Sequence, residues 1–371
     1  MHPATVVSGQ ARRRWISVIA VVAALCAVPV VVGAWPAGAA SADPVRLRAA
    51  MAASAGRAFS GYAQSSGLLP LPALPNFDDV IKPLSGRTEM RVWYAARDRW
   101  RVDVIDGAGE RDVYQTADGQ VIWDFGANQI VHVHGDQPVR LPRPADYTPP
   151  EMVRRLLATA AGDRVEPLAG KRVAGLDAAG LRLVPASADT TVEHVDIWAD
   201  PASGLPVQAE VTARGGERPV FVTRFLELHR TAPAAAPLTP PRQRPGVGFT
   251  VASAPDFLSR LNERGRGGLP PSAGGLPRGT AVDGVTAAAV YGTGLARIVV
   301  IALPGRFGGQ AFDRVDTFGQ AVDVPTGQAA LLSTGLLTLL AVRGERTYLA
   351  AGFVRPAVLQ RVAADLARST G

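Results

Sequence analysis

The most regular feature of the chain is a stretch of alternating apolar and polar residues between positions 87 and 134. Alternation with a period of two is typical of half-buried β-strands, and it is clear in "TEMRVWYA" and "DRWRVDVID". Turn signals at 118–119 ("DG") and 126–128 ("GAN") divide the stretch further. The pattern predicts five strands in an antiparallel meander with one apolar face. That face would carry Met90, Val92, Tyr94, Trp100, Val102 and Val104.

A second β-rich region begins after residue 172. It contains "LRLVPA", the pair of runs in "VEHVDIWADPASGLPVQAEV", and "RPVFVTRFLELH". In the middle segment "DPASG" separates two β-rich runs, which predicts a hairpin. With the meander, the region predicts about nine strands between residues 43 and 230.

Two helices are expected to accompany these strands. Asp43 and Pro44 are typical of a helix start, and apolar residues at helical spacing extend the first helix to Phe59. The second helix covers 148–162, where Thr148 and Glu151 have the spacing of a capping box. Met152, Leu156 and Ala160 give the second helix an apolar stripe, so it should pack across the sheet.

Two helices cannot easily cover the whole apolar face of such a sheet, and uncovered apolar area often marks a binding site. Ordinary core packing is the alternative for any single residue of that face. The candidate lining of a hydrophobic cavity is Met90, Val92, Tyr94, Trp100, Val102, Val104, Trp123, Met152, Leu156 and Trp198.

The first 42 residues have the layout of an export signal. Arg12–Arg14 precede an uncharged stretch from Trp15 to Trp35, and the small-residue segment "AGAASA" ends at Ala42. The apolar stretch is nearly long enough to span a bilayer, so either a cleaved signal peptide or an uncleaved membrane anchor fits. Both predict an extracytoplasmic body, secreted or anchored to the outer face of the cytoplasmic membrane. Cys26 is the only cysteine and lies in this segment, so the body would have no disulfide.

The rest of the chain divides at a Pro/Ala-rich tract. Residues 231–246 ("TAPAAAPLTPPRQRPG") predict a semi-rigid linker between a first domain, 43–230, and a smaller α+β domain, 247–371. The smaller domain should contain a helix near 256–263 and several strands. A closing helix would bury Val358, Leu359, Val362 and Leu366.

Charge and motifs exclude several functions. The formal net charge is +7, but the basic residues are almost all arginines scattered through the chain, which does not indicate nucleic-acid binding. There is no G-x-S-x-G motif, and the glycines at "GTGLAR" lack the context of a dinucleotide loop. His132 and His134 alternate on one strand without a ligand partner at metal-site spacing. We therefore expect no enzyme activity, no cofactor and no metal.

The segment "RVWYAARDRWRVDVIDGAGERDVYQTADGQVIWD", followed by the second helix and the 192–211 hairpin, resembles the MucB/RseB family of sigma-factor regulators. More distantly it is similar to LolA-type lipoprotein carriers. The resemblance covers about residues 43–230. It implies an α+β fold in which an antiparallel half-barrel has helices lining its concave face, with the smaller domain assisting.

The resemblance also implies a function. The first hypothesis is a membrane-associated regulator that binds a lipid, an acyl chain or a lipoprotein and acts on an anti-sigma factor or another single-pass membrane protein. A carrier that shields lipid in transit without signalling is the alternative. A hydrolytic enzyme is a third and weaker hypothesis. The ligand, the partner and the oligomeric state are not determined by the sequence.

Overall fold

A computed structural model describes residues 42–71, 78–106, 109–135, 142–160, 162–253, 262, 269–280, 285–303 and 305–369. Twelve strands form one large sheet in the order β12-β6-β5-β4-β3-β2-β1-β11-β10-β9-β8-β7. Each neighbouring pair is antiparallel except β12 and β6, which run parallel. The strands are β1 Phe59–Gly67, β2 Arg87–Ala96, β3 Arg99–Asp106, β4 Gly109–Thr116, β5 Gly119–Asp124, β6 Gln129–His134, β7 Arg164–Val173, β8 Leu176–Val184, β9 Val192–Ala199, β10 Pro206–Ala213, β11 Pro219–His229 and β12 Gly248–Ser253.

The sheet is open, with β7 and β12 as its edges, and this architecture is the predicted α+β half-barrel. Three helices accompany it: α1 Pro44–Ala53, α2 Asp78–Ser85 and α3 Pro149–Thr159. Helices α1 and α3 contact each other; α1 also packs on β7 and β8, and α3 on β10 and β11. We call the face that carries α1 and α3 the inner face and the opposite one the outer face.

The helices differ from the prediction in three respects. Helix α1 ends at Ala53, and Phe59 begins β1, a strand that the sequence pattern did not reveal. In α3 the buried positions after Pro149 are Val153 and Leu157, one residue on from Met152 and Leu156, which are only partly buried. The capping box is absent as well, because the Thr148 hydroxyl donates to the Ala145 carbonyl 2.8 Å away.

The predicted linker is packed against the outer face of the half-barrel. Its Leu238 is buried, and the Pro237 carbonyl accepts a hydrogen bond from Arg101. The next strand, β12, then pairs with β6 as the twelfth strand of the large sheet. The boundary at residue 247 therefore does not separate the two sheets, since residues 248–253 belong to the first. We call residues 231–253 the strap.

The C-terminal unit contains a second, six-stranded antiparallel sheet in the order β15-β16-β20-β19-β18-β17. Helix α4 packs on one side of it, and helix α5 buries the four predicted residues on the other. The predicted helix near 256–263 lies outside the described residues, apart from Asn262. The bounds are β13 Ser272–Ala273, β14 Leu276–Pro277, β15 Ala288–Thr293, β16 Ala296–Leu303, α4 Gly305–Phe318, β17 Gln320–Val322, β18 Gln328–Ser333, β19 Thr338–Arg343, β20 Thr347–Gly352 and α5 Pro356–Arg368.

Two hairpin tips of the C-terminal unit insert into the half-barrel. Leu295, in the β15–β16 turn, and Leu336, in the β18–β19 turn, are part of the half-barrel's main hydrophobic core. The Thr190 and Thr191 hydroxyls donate to the carbonyls of Leu295 and Leu336, at 3.3 and 2.5 Å. Buried apolar side chains and hydrogen-bonded backbone carbonyls both cross this junction. It therefore joins the two units firmly.

Within the described part of the chain, no helix is long and apolar enough to cross a membrane. The predicted signal peptide or anchor, residues 1–42, lies outside the described residues except for Ala42.

Candidate functional site: an open cavity in the half-barrel

Helices fill only part of the inner face, and a cavity of about 580 Å³ remains open beside them. Strands β2 and β3 and the β4–β5 turn form one side. The other side consists of the end of α1, the 3₁₀ turn Pro144–Tyr147 and the start of α3. A volume of this size suits a small organic ligand.

The floor of the cavity is apolar because of the strand register. Val92 pairs with Val102, Tyr94 pairs with Trp100, and Phe59 pairs with Tyr94, so alternation places all five side chains on the inner face. The rings of Phe59 and Tyr94 stack with their centroids 5.2 Å apart. The Tyr94 hydroxyl donates to the Ala55 carbonyl at 2.8 Å, and burial raises its pKa. These contacts fix the aromatic part of the floor.

The wall opposite the floor is charged and internally paired. Glu151 in the first turn of α3 accepts hydrogen bonds from Arg154 and Arg155. Arg155 also forms an ion pair with Asp146 at 3.0 Å. Both carboxylates are near the N-terminus of α3, where the helix dipole favours negative charge. The arginines of this wall are therefore largely neutralised by their own neighbours.

Four other exposed residues at the rim of the cavity carry charges of both signs: Asp98 and Asp118 are acidic, and Arg57 and Arg97 are basic. Arg57, just after α1, and Arg97, in the β2–β3 turn, line the cavity and are exposed. Within the described residues, neither forms an ion pair within 4.0 Å. The cavity thus combines an apolar floor with rim charges of both signs, of which Arg57 and Arg97 are available to an anionic group.

The structure brings four of the ten candidate lining residues to the cavity: Val92, Tyr94, Trp100 and Val102. Met90, Val104, Met152 and Leu156 do not line it and instead belong to, or pack against, the adjoining core. These four residues are therefore in ordinary core packing, the alternative given above for residues of the apolar face. Phe59 and the two rim arginines were missed. Phe59 had been assigned to a helix, and single arginines in turns have no sequence signal.

Trp123 does not line the cavity because it lies on the outer face. It is in register with Asp112 and Ile130, opposite the face that carries Val102. Phe249 of the strap packs against its cluster, and the Arg244 guanidinium lies 5.9 Å from the Trp123 ring centroid. The strap therefore supplies a second apolar core, on the side of the sheet that was expected to be solvated.

Trp198 is likewise on the outer face, in register with Gly180 and Gln208. Its indole N–H donates to the Ala169 carbonyl at 3.0 Å, and the Lys171 ammonium lies 4.5 Å from the ring centroid. Trp198 is therefore a packing residue between β7 and β9.

A buried acidic group lies on the outer face of β3 and β4. One carboxylate oxygen each from Asp103, Glu110 and Asp112 lie within 4.8 Å of one another, a spacing that also suits a metal ion. The Arg101 guanidinium, however, already lies among these carboxylates. It donates hydrogen bonds to Asp103 and, at 2.8 Å, to Asp112. The positive charge of this cluster therefore comes from the chain itself.

Comparison with known proteins gives matches to solved structures. No protein-family model matches the sequence, and no curated protein matches it. The structure is similar to that of a Pseudomonas aeruginosa MucA/MucB complex, with 20% identity, a TM-score of 0.49, and coverage of 87% of this chain and 97% of that chain.

A crystal structure of MucB gives 19% identity, a TM-score of 0.46, and coverage of 89% of this chain and 98% of that one. A LolA superfamily protein from Nitrosomonas europaea gives 11% identity and a TM-score of 0.25, covering 54% and 99%. These similarities say nothing of what this chain binds.

Proposed function

We propose that this protein is a non-enzymatic, extracytoplasmic binding protein whose half-barrel cavity holds an amphiphile with an anionic head. The observation that carries the proposal is the open cavity of about 580 Å³ with an apolar floor. An apolar surface exposed to water is unfavourable, and a bound acyl chain would cover it.

Two arginines of the rim support the choice of headgroup, with the head in contact with them and away from Asp98 and Asp118 of the same rim. A chain lying on Trp100 and Val102 would place its polar end near the exposed Arg57 and Arg97. A guanidinium forms bidentate hydrogen bonds with a phosphate or carboxylate, so these two side chains suit a lipid phosphate or a fatty-acid carboxylate.

We also propose that the protein is a regulator, and that a ligand in the cavity alters its docking to a single-pass membrane partner. The sequence resemblance implies an anti-sigma factor as that partner. The firm junction at Leu295 and Leu336 favours this over the carrier alternative, because a ligand signal needs a mechanically connected second unit. Transfer of labelled lipid between vesicles without any stable membrane partner would instead support the carrier.

Replacing both rim arginines should selectively weaken binding of anionic amphiphiles. We expect the double variant Arg57→Gln, Arg97→Gln to bind lysophosphatidic acid roughly tenfold more weakly, since hydrogen bonds to charged groups contribute ~1.5–3 kcal/mol and these arginines are exposed. Binding of a neutral monoacylglycerol of the same chain length should change by less than about twofold. Calorimetric titration of both lipids measures the difference.

Arg218→Gln is the matched control, because Arg218 is exposed in the turn between β10 and β11 and does not line the cavity. This variant should bind both lipids like the wild type. Equal loss for the two lipids in the double variant would contradict an anionic headgroup site, and absence of binding by the wild type would contradict the proposed function.

A further inference from the structure

The tip of the β15–β16 hairpin meets the half-barrel at a point where no side chain fits. Gly294 has a φ of +57°, and a Cβ at this position would lie 2.9 Å from Oδ1 of Asp163. The next residue, Leu295, is inserted in the half-barrel core. The position of this tip and the position of Asp163 therefore depend on each other.

Asp163 follows the C-terminal end of α3 and is almost completely buried. Its Oδ1 accepts a hydrogen bond from the Ala186 N–H at 2.9 Å, whereas its buried Oδ2 has no hydrogen-bond partner. Arg48 of α1 donates to the carbonyls of Ala160 and Asp163, at 2.7 and 3.2 Å. One arginine thus ties α1 to the end of α3, directly beside the hairpin tip.

The opposite ends of the same two helices line the cavity. Thr148, Glu151 and Arg154 do so from the start of α3, and Ser54 and Ala55 from the end of α1. Nine residues separate Glu151 from Ala160, which corresponds to about 14 Å along a helix that moves as a rigid rod. A shift of the α3 C-terminus would therefore be transmitted to the cavity wall.

We propose that the β15–β16 hairpin tip regulates the cavity by setting the position of α3 through Asp163 and Arg48. Gly294, Asp163 and Arg48 are positioning residues, since they do not line the cavity. The ligand side of this inference rests on the proposed function. Because coupling between sites is reciprocal, a partner that moves the C-terminal unit would change ligand affinity, and ligand would change partner affinity by the same factor.

The test is Gly294→Ala in the full chain, read out in two ways. We expect the affinity for cis-parinaric acid, a fluorescent fatty-acid probe, to change by roughly three- to thirtyfold. We also expect faster hydrogen exchange at the first amides of α3, Met152 to Arg154, without any ligand. Gly275→Ala is the matched control, because Gly275 also has positive φ, +82°, but has open space around its Cβ direction.

Arg48→Met keeps a long aliphatic chain but donates no hydrogen bond, so it covers the case in which Gly294→Ala does not fold. It should speed exchange at α3 and change probe affinity in the same direction. Folded variants with unchanged α3 exchange and unchanged affinity would overturn the inference. Faster α3 exchange in a protein that binds no probe would support the coupling and refute the proposed ligand, so the two failures are distinguishable.

Discussion

Val102→Asp should abolish binding of amphiphiles at neutral pH, with a loss of about a hundredfold or more. Val102 is 2% exposed and lies in the cavity floor between Val92 and Val113. A carboxylate there would have to be desolvated beneath the bound chain without a partner, which costs several kcal/mol. Titration with cis-parinaric acid measures the loss. Because protonation removes the charge, part of the affinity should return as the pH falls below the pKa of the new carboxyl group.

Two variants separate charge from other effects. Val102→Asn has nearly the same shape without the charge, so it should bind more tightly than Val102→Asp at neutral pH but more weakly than the wild type. Val251→Asp adds the same charge at a valine that is 60% exposed on β12 and should bind normally. If Val102→Asp is folded and retains wild-type affinity, Val102 is not part of the ligand-binding wall.

The strand pattern predicted the half-barrel because one face of most strands is consistently apolar. Val102 lies between Arg101 and Asp103, and Val92 follows Arg91; this alternation determines both strand and face. Strand β1 was missed because "FSGYAQSSG" contains small and polar residues whose burial comes from tertiary contacts. Its fully buried Ser65 cannot be recognised from local sequence.

The assignment of Trp123 and Trp198 to the cavity failed for a related reason. Period-two alternation separates two faces but does not tell which face is inner when both are covered. The strap covers the outer face at Trp123, and its sequence, rich in proline, predicts only an extended linker. The pairing of residues 248–253 with β6, about 120 positions away, depends on the completed sheet and not on any local pattern.

Asp112→Asn should stabilise the protein at alkaline pH and flatten the pH dependence of its stability. Asp112 lies directly opposite Asp103 on adjacent strands, and their exposures are 1% and 0%. Burial, and then the charge of Asp103, raises the pKa of Asp112 to about 7 from an ordinary value of 3.8. Burial also raises the pKa of Asp103. Arg101 supplies one positive charge for the two carboxylates.

The sign follows from proton linkage. The folded state holds the Asp112 proton more tightly than the unfolded state, so the associated stability is complete below pH 3.8 and is lost as pH rises through about 7. One pKa unit corresponds to about 1.4 kcal/mol. Asparagine resembles the protonated carboxyl group, and the variant should therefore exceed the wild type by roughly 3–4 kcal/mol at pH 8, by less than about 2 kcal/mol near pH 5, and be similar to it only below about pH 4.

Urea unfolding of both proteins between pH 4.5 and pH 8.5 measures the difference in the free energy of unfolding. Asp323→Asn, at an exposed aspartate of the C-terminal unit, is the control and should leave the pH dependence unchanged. A wild type and an Asp112→Asn variant with parallel pH profiles would show that Arg101 neutralises both carboxylates. In that case both carboxylates would stay ionised across this range, and pH would not affect the hydrogen bond that Arg101 donates to the Pro237 carbonyl of the strap.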